Sequence, residues 1–380
     1  MTRRGTATLP LHGGSAPRWL FDRMVDLGGA IAAAVVEEYG QEELLRRLAD
    51  PYWFQALGCV LGFDWHSSGV TTTTMGALKE ALDPEEHGVF VAGGKGSTSR
   101  KTPDELAEGA DNFRRASGSS LARRSRLSAK VDNACVQDGY TLYHHAMVVT
   151  DSGSWCVVQQ GMGEETARRY HWLDDEVDSF VEEPQSAICA QMRRDDVLDL
   201  TAGASAEARE VSVDLVQDDP AHLKRYLQPS NQRTLADFAG GESGMTGTAG
   251  DASSAGSVPD LRMPDQHVLR DADLSERALE QLQRAYEYQP EDFEELVALD
   301  GIGPKSLRAL ALIAELVHDA ESARADPAKH AYAHGGKDGT PQPVDRERYD
   351  RSIEFMRQHL RSVEDDEARQ SALDRLAELA

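Results

Sequence analysis

Three places in the chain bring together residue types that could carry phosphodiester chemistry. The first is Asp64 with His66, inside the polar turn Phe63–Gly69. The second is Lys130 with Asp132, in a stretch Ser128–Asp132 that reads as a short strand, with Asp138 beyond it. The third is the pair His144 and His145, which faces Gln159 and Gln160 at the open end of an expected hairpin. Cutting a phosphodiester needs carboxylates to hold Mg²⁺ or Mn²⁺ and a base or lysine to activate water. On that logic Asp64, Asp132 and Asp138 are the metal ligands. Lys130 or His66 would move the proton, and His144 or His145 would act as ligands or transition-state donors. The ordinary alternative for each histidine is a hydrogen-bonded core or surface residue. For Asp132 it is a buried carboxylate whose role is to satisfy nearby donors.

Two glycine-rich segments could grip a phosphate. In Leu299-Asp300-Gly301-Ile302-Gly303-Pro304-Lys305, a helix ends at a tight Gly-Ile-Gly turn and Pro304 opens the next helix, where its missing N–H costs nothing. The free N–H groups at that helix start, beside Lys305, make an anion site, with Gly301 and Gly303 allowing close approach. The segment resembles the helix-hairpin-helix motif of DNA-repair and recombination proteins; an ordinary helix pair with a glycine cap is the alternative. The second segment follows a short strand Gly88–Ala92 and runs Gly93-Gly94-Lys95-Gly96-Ser97-Thr98 into a helix start at Thr102-Pro103-Asp104-Glu105. Strand, glycine loop and helix N-terminus is the layout of a phosphate cradle at Gly94, Lys95 and Gly96. The spacing excludes a Walker A loop.

The composition bears on the partner. The 380 residues carry a net charge of −25, which on its face opposes a polyanion. Lysine, however, occurs only at 79, 95, 101, 130, 224, 305, 329 and 337, and arginine supplies the other cations. Many acids, few lysines and small apolar residues resemble a salt-accumulating halophilic archaeon's proteins. In molar salt the Debye length falls to about 3 Å, so long-range repulsion of DNA is screened and binding rests on short hydrogen bonds. Cys59, Cys135, Cys156 and Cys189 form no Cys-x-x-Cys pair, which favours buried thiols in a reducing cytoplasm over a zinc site or a disulfide framework. The N-terminus lacks a signal peptide's apolar core and no apolar run is long enough to span a bilayer, so a cytoplasmic protein without a membrane partner is expected.

The elements that must position these groups read as α+β, predominantly helical, with a small central sheet. Helices are expected over Pro17–Tyr39, Pro51–Gly62 and Thr71–Leu82, then at Glu164–Trp172, Ala187–Leu200 and Pro220–Leu227. Tyr140–Thr150 and Ser154–Gln160, joined by Asp151-Ser152-Gly153, read as a β-hairpin. With Thr150 opposite Ser154, Val149 faces Trp155, His145 faces Gln159 and His144 faces Gln160. Apolar residues lie on both faces, so the hairpin belongs inside a covered sheet. The expected division is a core domain over 1–235, a Gly/Ser/Ala-rich linker over 236–262, a helix-hairpin-helix region over 263–322 and a C-terminal helical segment over 323–380.

Several blocks together resemble a family known as domain of unknown function 763, found in archaea and some bacteria. The blocks are Leu9-Pro-Leu-His-Gly-Gly to Trp19, Phe54-Gln-Ala-Leu-Gly to Gly69, Val91-Ala-Gly-Gly-Lys-Gly to Pro103, Ser128 to Met162, and Asp326 to Asp345. The resemblance covers most of the chain except the linker. It brings no activity with it and implies only that the blocks form one unit joined to the hairpin. The function expected is therefore DNA binding, with DNA ahead of RNA, by a metal-dependent nuclease or related phosphodiester enzyme in repair or recombination. The hairpin departs from the restriction-type nuclease core, because Gln159-Gln160-Gly161-Met162 supplies no lysine after its acidic or Gln position. Two alternatives stay open: a non-catalytic DNA-binding protein, and an enzyme acting on a small phosphorylated ligand.

Overall fold

A computed structural model describes residues 16–62, 68–109, 117–164, 166–190, 193–194, 197–218 and 276–328. The expected strand at Thr6–Leu11, the helix at Pro220–Leu227, the linker and the helical segment beyond 328 lie outside the described residues. So do Asp64 and His66.

The first described elements are four helices: α1 (Arg18–Tyr39), α2 (Gln41–Ala49), α3 (Pro51–Val60) and α4 (Gly69–Ala81). Asp50 caps α3 by accepting from the Tyr52 and Trp53 amides, and Pro51 takes the first helical position. The short α5 (Pro84–His87) leads into β1 (Val89–Lys95), which is followed by a 3₁₀ turn, α6 (Thr102–Gly109), α7 (Gly118–Ala134) and β2 (Val136–Gln137). Then come β3 (Thr141–Thr150), β4 (Trp155–Met162), β5 (Ala167–Leu173), β6 (Ala187–Cys189), β7 (Leu198–Asp199) and α8 (Ala206–Gln217). The last described helices are α9 (Glu276–Tyr288), α10 (Phe293–Ala298) and α11 (Pro304–His318).

The main sheet is antiparallel, in the order β1-β3-β4-β5-β6, and β2 pairs with β7 beside it. Both faces are covered, as the two-sided apolar pattern requires. Val89, Val91, Ala146, Val148, Cys156 and Val158 share a core with α1–α4. Met147, Val149, Trp155, Val157 and Trp172 share the other core with α6, α7, α8 and the C-terminal helices. Leu282, Phe293, Leu296, Ile302 and Leu310 belong to that second core. The helices after the expected linker are therefore packed into the same body as the sheet.

Three expected elements differ. Ser128–Asp132 lies inside α7 rather than in a strand. Leu121, Ser125, Ser128 and Asp132 are among its buried positions, spaced three or four apart as one helix face demands. Glu164–Trp172 is mostly β5, not a helix; Tyr170, His171 and Trp172 suit a strand buried on both sides. Ala187–Leu200 holds the strands β6 and β7. The strand before the glycines also runs further than expected, through Gly93 and Gly94 to Lys95. Gly93 takes φ +95°, and a Cβ there would sit 2.2 Å from the His145 carbonyl oxygen. The hairpin register is as expected: Val149 opposite Trp155, His145 opposite Gln159, His144 opposite Gln160.

Candidate functional site

The strand alternation sends His144 and His145 into different layers. His145 points toward α7, where a chain of buried polar groups runs through fixed donors and acceptors. Asp132 accepts on Oδ1 from Gln185 Nε2 at 2.6 Å, and on Oδ2 from Trp172 Nε1 at 2.9 Å and from Gln159 Nε2. A carboxylate only accepts, so the Gln159 amide nitrogen must face it and Oε1 must face away. That oxygen lies 2.8 Å from His145 Nδ1, which therefore donates; Nε2 then accepts from Ser125 Oγ, also at 2.8 Å. Burial drives the Asp132 pKa up to about 7, against the hydrogen bonds from Gln185, Trp172 and Gln159. Burial likewise lowers the His145 pKa to about 4, although its Gln159 bond acts the other way. Both groups are satisfied within the network.

Lys130 does not join them. On a helix, residues two apart diverge by about 200°, and Lys130 instead reaches the carbonyl of Leu299, to which its ammonium donates. Burial lowers its pKa, opposed by Asp300 and Cys135. Asp138 is also committed. Its Oδ2 accepts from Arg168 at 3.0 Å and from Tyr170 Oη at 2.6 Å, while Oδ1 accepts from the Tyr140 amide. Arg168 in turn forks onto both oxygens of Asp326, at 2.9 and 2.7 Å. Asp132 and Asp138 thus turn their lone pairs toward internal donors. Among the described residues no group of three or more His, Cys, Asp or Glu side chains is placed to hold a metal ion.

The opposite face carries a second polar row. Lys95, His144, Gln160 and Arg169 stand side by side on β1, β3, β4 and β5. A β-bulge between Leu142 and His144 brings Tyr143 to this side as well, and Gln160 Nε2 donates to its hydroxyl and to the Ser68 carbonyl. Thr71 of α4 donates to Gln160 Oε1. Arg169 is fully buried, bonding Gln55 Oε1 through two nitrogens, Thr71 Oγ1 and His171 Nε2, with Phe54 against its guanidinium. No described carboxylate pairs with it. His144 is also fully buried, and neither ring nitrogen has a hydrogen-bond partner among the described residues. Burial, then His145 and Lys95, lowers its pKa to about 3, so the ring is neutral.

The expected glycine cradle is largely closed by the protein itself. Glu105 accepts from the Gly93 amide at 2.7 Å and from Lys79 at 2.6 Å, and the Gly96 amide donates to the Tyr143 carbonyl. Lys95 remains exposed at the rim, 5.9 Å from the Tyr143 ring centre.

At the other glycine segment, α10 ends, Ile302 is buried, and Pro304 starts α11. Gly301 takes φ +90°. Gly303 has nothing within 4 Å of where a Cβ would stand, and Lys305 is exposed. The turn is fastened from behind by Lys130 on Leu299 and by Gln137, which donates to the Pro304 carbonyl at 2.8 Å and accepts from Arg308 at 2.7 Å.

Sequence reasoning missed Arg169, Tyr143, Gln185 and Trp172. The signal for Arg169 was available in Arg168-Arg169-Tyr170-His171-Trp172, whose aromatic run after the turn at Gly163 suits a third antiparallel strand. The bulge that turns Tyr143 left no mark in the pattern.

A family model described as "Protein of unknown function (DUF763)" matches residues 5–344. No curated protein matches the chain. No solved structure matches it either.

Proposed function

The chain belongs to the DUF763 family of proteins of unknown function, and we propose that it binds nucleic acid, DNA ahead of RNA, through the turn between α10 and α11. The observation that carries this reading is the open face of Gly303. A backbone with free space above it, amides at a helix start and an exposed Lys305 suits a phosphate oxygen. One such turn grips the backbone and reads no bases, so binding across sequences is uniform. The acidic, lysine-poor composition fits binding in concentrated salt, where short contacts replace long-range attraction.

Phosphodiester cleavage is a second reading, favoured by the polar row at Lys95 and His144. Asp132 and Asp138 do not fit the role of Mg²⁺ or Mn²⁺ ligands, because their oxygens are occupied by internal donors. The test is incubation of labelled single-stranded, duplex and branched DNA with the full chain in concentrated KCl, with Mn²⁺ or with EDTA. Retarded, intact DNA supports binding alone, and metal-dependent cutting supports the nuclease reading. Unretarded, uncut DNA overturns both and leaves a small phosphorylated ligand.

A further inference from the structure

We propose that the row Lys95–His144, with Arg169 behind it, is a binding site for a tetrahedral oxyanion of the phosphate class. The site deepens the nucleic-acid reading, on which it rests only for the molecule that carries the phosphate. Two observations meet here. His144 has both ring nitrogens unpartnered at 0% exposure, a costly condition in a finished core. Arg169 places a guanidinium at 0% exposure with only neutral acceptors among the described residues. In a chain of net charge −25, a buried cation without a described carboxylate is conspicuous.

These features select the ligand's sign. A metal ion would meet Lys95 and Arg169 and be repelled. An oxyanion would accept from the Lys95 ammonium and from the ring N–H of His144, and Arg169 would supply the compensating field further along the row. The ring's other nitrogen would accept from a protonated ligand oxygen or a bound water. Tyr143, half-buried above Gln160, marks the way in from the rim. The β-bulge that places it there is a feature common beside binding sites.

The test uses the full chain in KCl with inorganic phosphate as probe, followed by calorimetry and by ¹⁵N-histidine NMR. Wild type is expected to bind saturably, with the His144 ring resonances moving. Lys95→Gln, at an exposed strand end, should weaken phosphate by about tenfold, the usual scale for a charge-assisted hydrogen bond. His144→Met should abolish phosphate binding while melting at the same temperature or higher, because it removes unsatisfied polar atoms from the core. A purely structural histidine would give the opposite melting result. Absence of saturable binding by wild type overturns the site, as does equal affinity in both variants. Gly303→Asp separates the two readings: it should lose duplex binding and keep phosphate binding. If wild type binds phosphate but no DNA, the nucleic-acid reading falls and the oxyanion site stands. Competition by a single-stranded oligonucleotide at the His144 resonances identifies the carrier as nucleic acid, and lack of it identifies a small phosphate ester.

Discussion

Lys130 donates to the carbonyl of Leu299, so the helix that buries Asp132 also anchors the turn beginning at Asp300. Lys130→Met keeps the aliphatic stem and deletes that bond. It should lower stability by about 1 kcal/mol, the ordinary net value of one hydrogen bond. The amides of the turn should exchange faster with solvent, and DNA affinity should fall in step. Hydrogen exchange and a melting curve on the same preparation check this, and an unchanged turn would show that Gln137 and the core hold it unaided.

Asp132 makes a distinct stability prediction. Asp132→Ala strips a partner from Gln159, Trp172 and Gln185, and should cost at least about 1–3 kcal/mol. Any activity should fall only as far as the folded fraction falls. Full stability with lost activity would restore a direct chemical role.

The pH dependence follows from opposing shifts. Asp132 rises from 3.8 to about 7, so the folded state holds more protons than the unfolded one in that window. Its contribution lowers stability as pH climbs between those values. His144 and His145 fall from 6.5 to about 3 and about 4, so their contributions raise stability as pH climbs toward 6.5. These contributions oppose one another, and Asp132→Asn should make stability rise more steeply with pH across the acid range. Denaturant titrations at stepped pH measure it, and parallel profiles for the two proteins would contradict the assignment.

The two glycines of the turn should respond differently. Gly301 sits at φ +90°, where any side chain is strained, and a Cβ there would also crowd Gln281. Gly301→Ala should destabilise by about 1–2 kcal/mol. Gly303 has extended backbone, φ −143°, and open space, so Gly303→Ala should melt like wild type. Gly303→Asp should then remove most DNA binding without unfolding, and Lys305→Ala should weaken it modestly for every sequence. Filter binding by both variants at the wild-type level would remove the turn from the interface.

Asp326 carries the largest stability effect expected. Its carboxylate meets Arg168 through two bonds and also accepts from the Arg194 and Ala328 amides. Asp326→Ala leaves a buried guanidinium with half its compensation and should cost about 3–5 kcal/mol. Chemical denaturation gives the value directly; a loss below about 1 kcal/mol would mean that Asp138 suffices alone.

What was legible in the sequence was periodic and local. The hairpin announced itself by β-branched and aromatic density, and its turn fixed the register that opposes His144 to Gln160. The helix pair around Gly301 was marked by Pro304 and the two glycines. Ser128–Asp132 misled because five residues of mixed polarity carry no period of their own; only the buried positions from Leu121 onward show the helix. That difference matters chemically. On a strand Lys130 and Asp132 would share a face, whereas on α7 they part, one to the turn and one to the sheet. Arg168 and Arg169 were hidden for another reason. Buried arginines read as surface until their partners are known, and Asp326 and Gln55 lie far away in sequence.

The fork between Arg168 and Asp326 spans 158 residues of chain, which sets an order in time. A ribosome adding about 5–20 residues per second would deliver Asp326 roughly 8–30 s after Arg168. Through that interval Asp138, already made, is the guanidinium's one carboxylate partner among the described groups, and the helices that close the second core have not yet emerged. The sheet edge at β5 and β6 is thus finished last. The nascent chain must be kept from sticking to its neighbours while it waits for its own C-terminal third.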